Sequence, residues 1–345
     1  MPKKPTLRDI AKQADVALST VSQVLNNKPG VSADLRKHVL TVASELGYRQ
    51  KITVDAPLGS QLEVIGILTK RSNGDPLEVN PFYSYVLAGA ERECARHNIS
   101  LMYANVEVDD SNRALSLPAM LLDQRVDGVI VVGTFLEETI LDISRRSGQN
   151  IILVDAYTAG QNTFDSVLID NYNGAKSAVE HLISLGHRHI GLIGSNPESY
   201  PSIYERRDGY RAALQRHGLS TEYIEEGTLD RADAIQATMR LISRAPQITA
   251  IFGCNDNVAI GIINALHHLG KRVPQDISVI GFDDIDLAQE ITPTLTSIHV
   301  DKVLMGAMAM RMLRDRAESP DRAVVKTTIT TQLMVRESVR SLKGK

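Results

Sequence analysis

The chain has no tryptophan and only two cysteines, Cys94 and Cys254, in 345 residues. Two distant thiols without a CxxC partner supply neither a disulfide framework nor a thiolate metal site, which fits a reducing cytoplasm. Long apolar runs are also missing. The longest, such as residues 126–132, have the length of a buried strand and fall far short of the roughly 18 residues that span a membrane. The first ten residues, MPKKPTLRDI, hold no apolar stretch of the signal-peptide kind, so a cytoplasmic location without a membrane partner is expected.

Sequence signatures of catalysis are lacking as well. No phosphate-cradling GxxxxGK(S/T) loop, GxSxG elbow or HExxH helix occurs. GLIGS at residues 191–195 is glycine-rich but does not have GxGxxG spacing. His187 and His189 would share a strand face, yet no further ligand-type residue completes a metal set. His267 and His268 on a helix point in different directions. These residues support no enzymatic reading, no cofactor and no metal.

The hydrophobic fraction of 43% is enough for more than one packed core, and the length suggests two or three domains. A formal net charge of −3 hides an asymmetry. Residues 1–51 hold nine Lys and Arg against four Asp and Glu, a net +5; the remainder holds 29 against 37, a net −8. A basic head on an acidic body suits a nucleic-acid contact at one end, although a solvated basic helical surface has the same charge.

The head, residues 1–48, reads as three short amphipathic helices. Thr6 and Asp9 form an N-cap and acidic first turn, and Leu7, Ile10, Ala11 and Ala14 share one face. After a tight turn at Ala14, Asp15 and Val16, residues 18–25 bury Val21, Val24 and Leu25 and expose Leu18, Ser19, Ser22 and Gln23. Asn26 to Gly30 is a turn cluster. Ser32 caps a third unit with Leu35, Val39, Val42, Ala43 and Leu46 facing inward. Two short helices joined by about three residues make a helix-turn-helix, whose second helix can read base edges in a major groove.

The stretch TLRDIAKQADVALSTVSQVLNNKPGVSADLRKHVLTVASELGYR resembles the head of the lactose/galactose-repressor (LacI/GalR) family, nearly gap-free over about 45 residues. The resemblance implies that Leu18, Ser19 and Gln23 read bases and that Thr6, Thr20, Ser22, Asn26 and Val31 lie near the DNA backbone and groove wall. Ala17 departs from the usual N-cap serine, at a cost of about 1 kcal/mol in helix stability. Gln23 stands where arginine is common; arginine favours guanine, whereas glutamine pairs bidentately with adenine. Residues 49–62 are expected to be the hinge. The family's hinge helix wedges a leucine into the minor groove, and here Pro57 falls at that position with Leu58 one place later. Proline disfavours a helix interior, so a plain linker and a Leu58 wedge are both open.

From residue 63 onward apolar strand candidates alternate with helical segments, the pattern of parallel sheets flanked by helices. The strand candidates are residues 64–68, 100–104, 128–132, 151–154, 167–169, 190–193, 250–252 and 278–281. The expected architecture is an α/β, two-lobed, periplasmic-binding-protein-like domain over residues 63–345. One lobe would hold about 63–160 with 292–322, the other about 161–291 with 323–345. The segments DNYNGAKSAVEHLISLGHRHIGLIGS and VPQDISVIGFDDIDLAQEITPTLTSI carry the family resemblance through this region. It implies a small-molecule cleft between the lobes. Phe82 and Tyr83 would stack on a ligand ring, and Asp170 would open the cleft segment of the second lobe. Arg206 would grip ligand oxygens, Asn255 and Asp283 would hydrogen-bond hydroxyls or ring nitrogens, and Tyr200 and Ser202 would tune specificity. Leu229 replaces a frequent stacking aromatic. Structural roles remain open on sequence alone: core packing for Phe82 and Tyr83, a surface ion pair for Arg206, a cap for Asp283.

The resulting expectation is a DNA-binding repressor that acts as a homodimer on a pseudo-palindromic double-stranded operator. A small carbohydrate or related metabolite would be its effector. A solute-uptake receptor and an α/β enzyme with a helical appendage are the competing classes. The basic head argues against the first and the missing catalytic motifs against the second.

Overall fold

The computed structural model describes residues 6–25, 31–46, 62–72, 81–109, 113–158, 163–196 and 200–343. The chain divides into two units, residues 1–60 and 61–345.

The first unit contains α1 (Leu7–Gln13), α2 (Leu18–Leu25) and α3 (Ala33–Glu45). The Asp9 carboxylate accepts from the Thr6 backbone N–H at 2.7 Å and from its hydroxyl at 2.6 Å, closing the first turn of α1. Ala17 has no side-chain oxygen to cap α2, and its carbonyl merely accepts from Thr20 N and Val21 N. Ile10, Ala14, Val21, Val24, Val39, Val42 and Ala43 form the buried centre of the three helices. This is the face that the spacing of apolar residues singles out.

The second unit runs β1 (Val64–Ser72), α4 (Pro81–Arg96), β2 (Ser100–Val108), α5 (Ala119–Leu122), β3 (Gly128–Val132), α6 (Glu137–Ser147), β4 (Asn150–Val154) and β5 (Asp165–Ile169). It then changes lobe. There follow α7 (Asn171–Ser184), β6 (Ile190–Ile193), α8 (Pro201–Arg216), β7 (Tyr223–Glu225), α9 (Arg231–Arg244), β8 (Ala250–Gly253), α10 (Asp256–His268), β9 (Ser278–Asp283), α11 (Leu287–Glu290) and β10 (Thr296–His299). The chain returns as α12 (Lys302–Glu318) and β11 (Lys326–Ile329) and leaves again as β12 (Gln332–Met334).

Two six-stranded sheets result, in the orders β11-β5-β4-β3-β1-β2 and β12-β10-β9-β8-β6-β7. Pairing is parallel throughout except between β10 and β12, which is antiparallel. Strands such as GVIVV in β3 are buried along their whole length because helices cover both faces.

The lobe boundaries differ from those expected. Residues 165–169 stay in the first sheet, paired with β4 and β11, and residues 296–299 stay in the second, paired with β9. The polar stretch near residue 160 therefore joins two strands of one sheet and is not the crossover. The three crossovers lie at Asp170, at Val300 and Asp301, and between β11 and β12. β11 also belongs to the first sheet, so the C-terminal segment does not serve the second lobe alone. Sheet pairing, which a one-dimensional pattern does not reveal, decides these points.

Within the first lobe α4 and α12 touch backbone to backbone. A Cβ at Gly89 would overlap the Val303 carbonyl, and one at Gly306 would overlap the Val86 carbonyl. The pair is locked further by Arg311, which donates from Nε and Nη2 to the two carboxylate oxygens of the nearly buried Glu93, at 3.1 and 3.2 Å.

Candidate functional site

The strands of both sheets end at the gap between the lobes, and side chains from both sides meet there. At its centre lies Arg206 in the middle of α8, only 4% exposed. Its guanidinium donates from Nε to Asn171 Oδ1 at 2.8 Å, from Nη1 to the Cys254 carbonyl at 2.6 Å and from Nη2 to Asp283 Oδ1 at 3.1 Å. It stacks 3.7 Å from the centroid of the Phe282 ring. Each guanidinium nitrogen donates one hydrogen bond, which sets its orientation before any ligand arrives.

Asp283 closes β9 in a left-handed conformation (φ 104°), followed by Asp284 at φ 50°. Side chains resist this region, so the turn is strained. Lys302, buried at the start of α12, donates its ammonium to the carbonyls of Asp283, Asp284 and Val300 and holds the turn from the other lobe. Burial pushes the Asp283 carboxyl up, opposed by Arg206 and Lys302.

The first lobe contributes Tyr83 and Asp155. Phe82 and Tyr83 meet edge to face with centroids 5.2 Å apart. The Tyr83 hydroxyl donates to Asp155 Oδ2 at 3.2 Å. Gly133 (φ 88°) makes room for that phenol, since a Cβ there would come within 3.0 Å of the hydroxyl. Asp155 itself adopts φ 51° just past β4. Its second oxygen, Oδ1, is buried without a hydrogen-bond partner among the described residues. Burial raises this carboxyl to about 7, against the nearby Arg206 charge and reinforced by Asp283. A buried acceptor left open in a cleft is costly unless something fills it.

Further contacts bridge the lobes around this centre. Lys70 Nζ donates to Tyr200 Oη at 2.8 Å, Tyr85 Oη donates to Asp286 Oδ2, and Tyr157 Oη donates to Glu205 Oε2 at 3.5 Å. Asn171 Nδ2 joins the last pair, 3.2 Å from each.

Of the residues singled out by sequence, Phe82, Tyr83, Arg206 and Asp283 come together. Tyr200 lies at the mouth and Ser202 is buried in the first turn of α8. Two also cap helices. Asp170 caps α7, accepting from Asn173 N at 3.2 Å, and Asn255 Oδ1 caps α10, accepting from Val258 N at 2.8 Å. Leu229 packs partly buried against the apolar core of the second lobe. Asp155, Asn171, Glu205, Tyr157, Lys70 and Lys302 were missed. Asp155 had a usable signal: a carboxylate directly after the buried strand IILV, at the end where parallel sheets place their ligands. Among the described residues no His, Cys, Asp and Glu group could hold a metal ion. His187 instead bonds Thr249 Oγ1 and the Arg340 carbonyl.

On the head, Leu18 is 44% exposed, and Thr6, Ser19 and Gln23 are exposed. Thr20 and Val31 are half-buried, and Val31 packs against the helical core. The side chain of Ser22 and residues Asn26 and Leu58 lie outside the described residues.

Residues 6–51 match the family model described as bacterial regulatory proteins, lacI family, and residues 179–339 match a periplasmic binding protein-like domain. The chain is 30% identical over 344 residues to the ribose operon repressor of Haemophilus influenzae, covering 98% of this chain and 99% of that protein. The chain belongs to the LacI family of bacterial regulators. It is similar at 32% identity to the ribose operon repressor of Escherichia coli K12, over 96% of this chain and 99% of that one. Among solved structures it superposes on the Lac repressor dimer bound to operator and the anti-inducer ONPF, with TM-score 0.75 and 25% identity, covering 98% and 100% of the two chains. The cellobiose complex of the transcriptional regulator CelR matches with TM-score 0.70 and 27% identity, covering 97% of this chain and 99% of that one. A LacI-family protein thus has a helix-turn-helix head and a two-lobed binding body, and this chain is a DNA-binding transcriptional regulator of that design. No helix among the described residues is long and apolar enough to cross a membrane.

Proposed function

We propose that this regulator represses by binding a two-fold symmetric operator as a homodimer, and that a small hydroxyl-rich metabolite in the interlobe cleft controls its grip. The observation that carries the cleft assignment is the open Asp155 Oδ1 of one lobe beside the pre-oriented Arg206–Asp283 pair of the other. A buried carboxyl oxygen without a partner among the described residues, next to an oriented guanidinium and an aromatic edge, suits a polar ring with hydroxyls, which can both donate and accept. Arg206, Asp283, Phe82 and Tyr83 would touch the effector, with Tyr200 and Ser202 at the rim. Asp170 and Asn255 would shape the site through the helices they cap. The relatives named for ribose and cellobiose support a carbohydrate or related metabolite.

Control would follow from the lobes. A ligand that touches both stabilises one arrangement over the other, and only that difference in affinity can alter DNA binding. A coupling of about 1–3 kcal/mol is typical. Exposed Arg8, Lys12 and Lys37 would supply salt-dependent phosphate contacts while α2 enters the major groove.

The test is selection of duplexes from a random library by the full-length protein, alone and with D-ribose or cellobiose. A two-fold symmetric consensus whose recovery changes with a sugar supports the proposal. Arg206→Ala is expected to abolish that change while leaving basal DNA affinity within about threefold. An unaltered sugar response in Arg206→Ala would remove Arg206 from the site.

A further inference from the structure

The surface of α2 that faces outward has a composition that narrows which bases it can read. The helix is LSTVSQVL, without an acidic or a basic residue. Val21 and Val24 are buried in the head, while Leu18, Ser19 and Gln23 are exposed. Leu18 is the conspicuous one: a large apolar side chain 44% exposed at the first position of a helix whose other described apolar residues are inside.

The four base pairs differ in the major groove. Guanine offers two acceptors, N7 and O6, and is read by the donors of arginine or lysine. Cytosine offers an N4 donor and is read by a carboxylate. α2 has neither kind of side chain. Adenine offers one acceptor and one donor, N7 and N6, which the coplanar oxygen and NH2 of a glutamine amide match. Thymine offers the groove's one methyl group, and an exposed leucine without hydrogen-bonding capacity can pack on that group. The Ser19 hydroxyl donates and accepts and does not discriminate. Ser19 and Gln23 are one turn apart on the same face. Leu18 and Gln23 are five residues apart, about 7.5 Å along the axis at about 1.5 Å per residue. They also point about 140° apart around the axis, at about 100° per residue, so they would address different base pairs.

We infer that α2 is a reader of adenine–thymine pairs, with Gln23 taking an adenine edge and Leu18 packing on a thymine methyl within each half-site. This rests on the reading of the chain as an operator-binding regulator. Among the described residues, the exposed Lys and Arg of the head are Arg8 and Lys12 on α1 and Lys37 on α3, which would serve phosphates.

The experiment is duplex selection with the full-length wild type, Gln23→Ala, Gln23→Arg and Leu18→Ala, followed by competition with modified versions of the wild-type site. Replacing the contacted adenine by 7-deaza-adenine removes N7. It should weaken wild type about fivefold, the equivalent of about 1 kcal/mol for one of the two hydrogen bonds, and leave Gln23→Ala unaffected. Replacing the contacted thymine by uracil removes one methyl. It should weaken wild type about fourfold and leave Leu18→Ala unaffected. Gln23→Arg should move the preferred base at one position per half-site to guanine, a gain that misfolding cannot mimic. The inference is overturned if a symmetric site is enriched but carries guanine where Gln23→Ala relaxes the preference. It is equally overturned if Gln23→Ala and Leu18→Ala select the same sequence as wild type. In both cases the regulator reading stands. If no duplex is enriched with or without D-ribose or cellobiose, the regulator reading falls and this inference falls with it.

Discussion

Asp165 opens β5, and its carboxylate is fully buried within the first lobe. It accepts from Arg316 Nε and Nη2 at 2.9 Å each, from Arg322 Nη1 and Nη2 at 3.2 and 2.8 Å, and from Val325 N at 2.7 Å. One anion thus serves two guanidiniums that are themselves largely buried, with side chains 12% and 22% exposed. It also ties the returning segment 316–325 to β5, beside the strand pair β5–β11. Asp165→Ala would leave two buried cations without a counter-ion and one backbone N–H without an acceptor. Removing one partner of a buried charge network costs about 3–5 kcal/mol. At about 2–4 °C per kcal/mol for a unit of this size, the melting temperature should fall by about 6–20 °C. Asp165→Asn keeps the volume but turns an NH2 group toward a guanidinium, so it should lose nearly as much.

The pH dependence supplies an independent check. Burial pushes the Asp165 carboxyl up, but the Arg316 hydrogen bonds, the Val325 N–H and both arginine charges outweigh it, and the net shift is downward. A group lowered in the folded state contributes stability that is present above its unfolded value, near about 3.9, and is lost as pH falls through the folded value. The gap between wild type and Asp165→Asn, followed by calorimetry, should be widest near neutrality and narrow below about pH 4. A difference under about 1 kcal/mol at pH 7, or one that does not change with pH, would refute the assignment of the network as a stabilising element.

Other residues make separate predictions. Asp155 is raised to about 7 chiefly by burial. A group raised when folded contributes stability that is present below its unfolded value, near about 4, and lost as pH rises through about 7. Asp155→Asn should therefore melt higher than wild type at pH 8 and about equal to it at pH 4, as measured by thermal scans across that range. Gly306→Ala should destabilise the first lobe by at least about 1–3 kcal/mol in urea titration, because the new methyl meets the Val86 carbonyl and not a flexible side chain. Ala17→Ser should stabilise the head by about 1 kcal/mol by capping α2, read out by slower amide exchange at Val21 and Val24.

The head shows how much local pattern can carry. Val21 and Val24 at three-residue spacing, Thr6 with Asp9, and the short turn between α1 and α2 set helices and core together, because each contact lies within a few residues. The same holds for β3 and β6, whose apolar runs need only be buried to become strands. The cleft was legible in part. Arg206 and Asp283 stood out through the resemblance, but their ion pair joins residues 77 positions apart. Nothing in sequence said that Asn171 and the Cys254 carbonyl would complete the fork.

What the amino-acid order determined by itself was the alternation of elements, the basic head and the outward face of α2, since propensity, capping and periodicity act over one or two turns. What only the tertiary structure decided was which lobe owns β5, β10 and β11, that Asp170 and Asn255 cap helix N-termini, and that Lys302 reaches across a crossover to hold the strained turn at Asp283. Each depends on sheet pairing and side-chain approach between distant segments. The open oxygen of Asp155 is of the same kind. Its burial without a partner among the described residues depends on how distant segments fold around it, and no spacing along the chain records that.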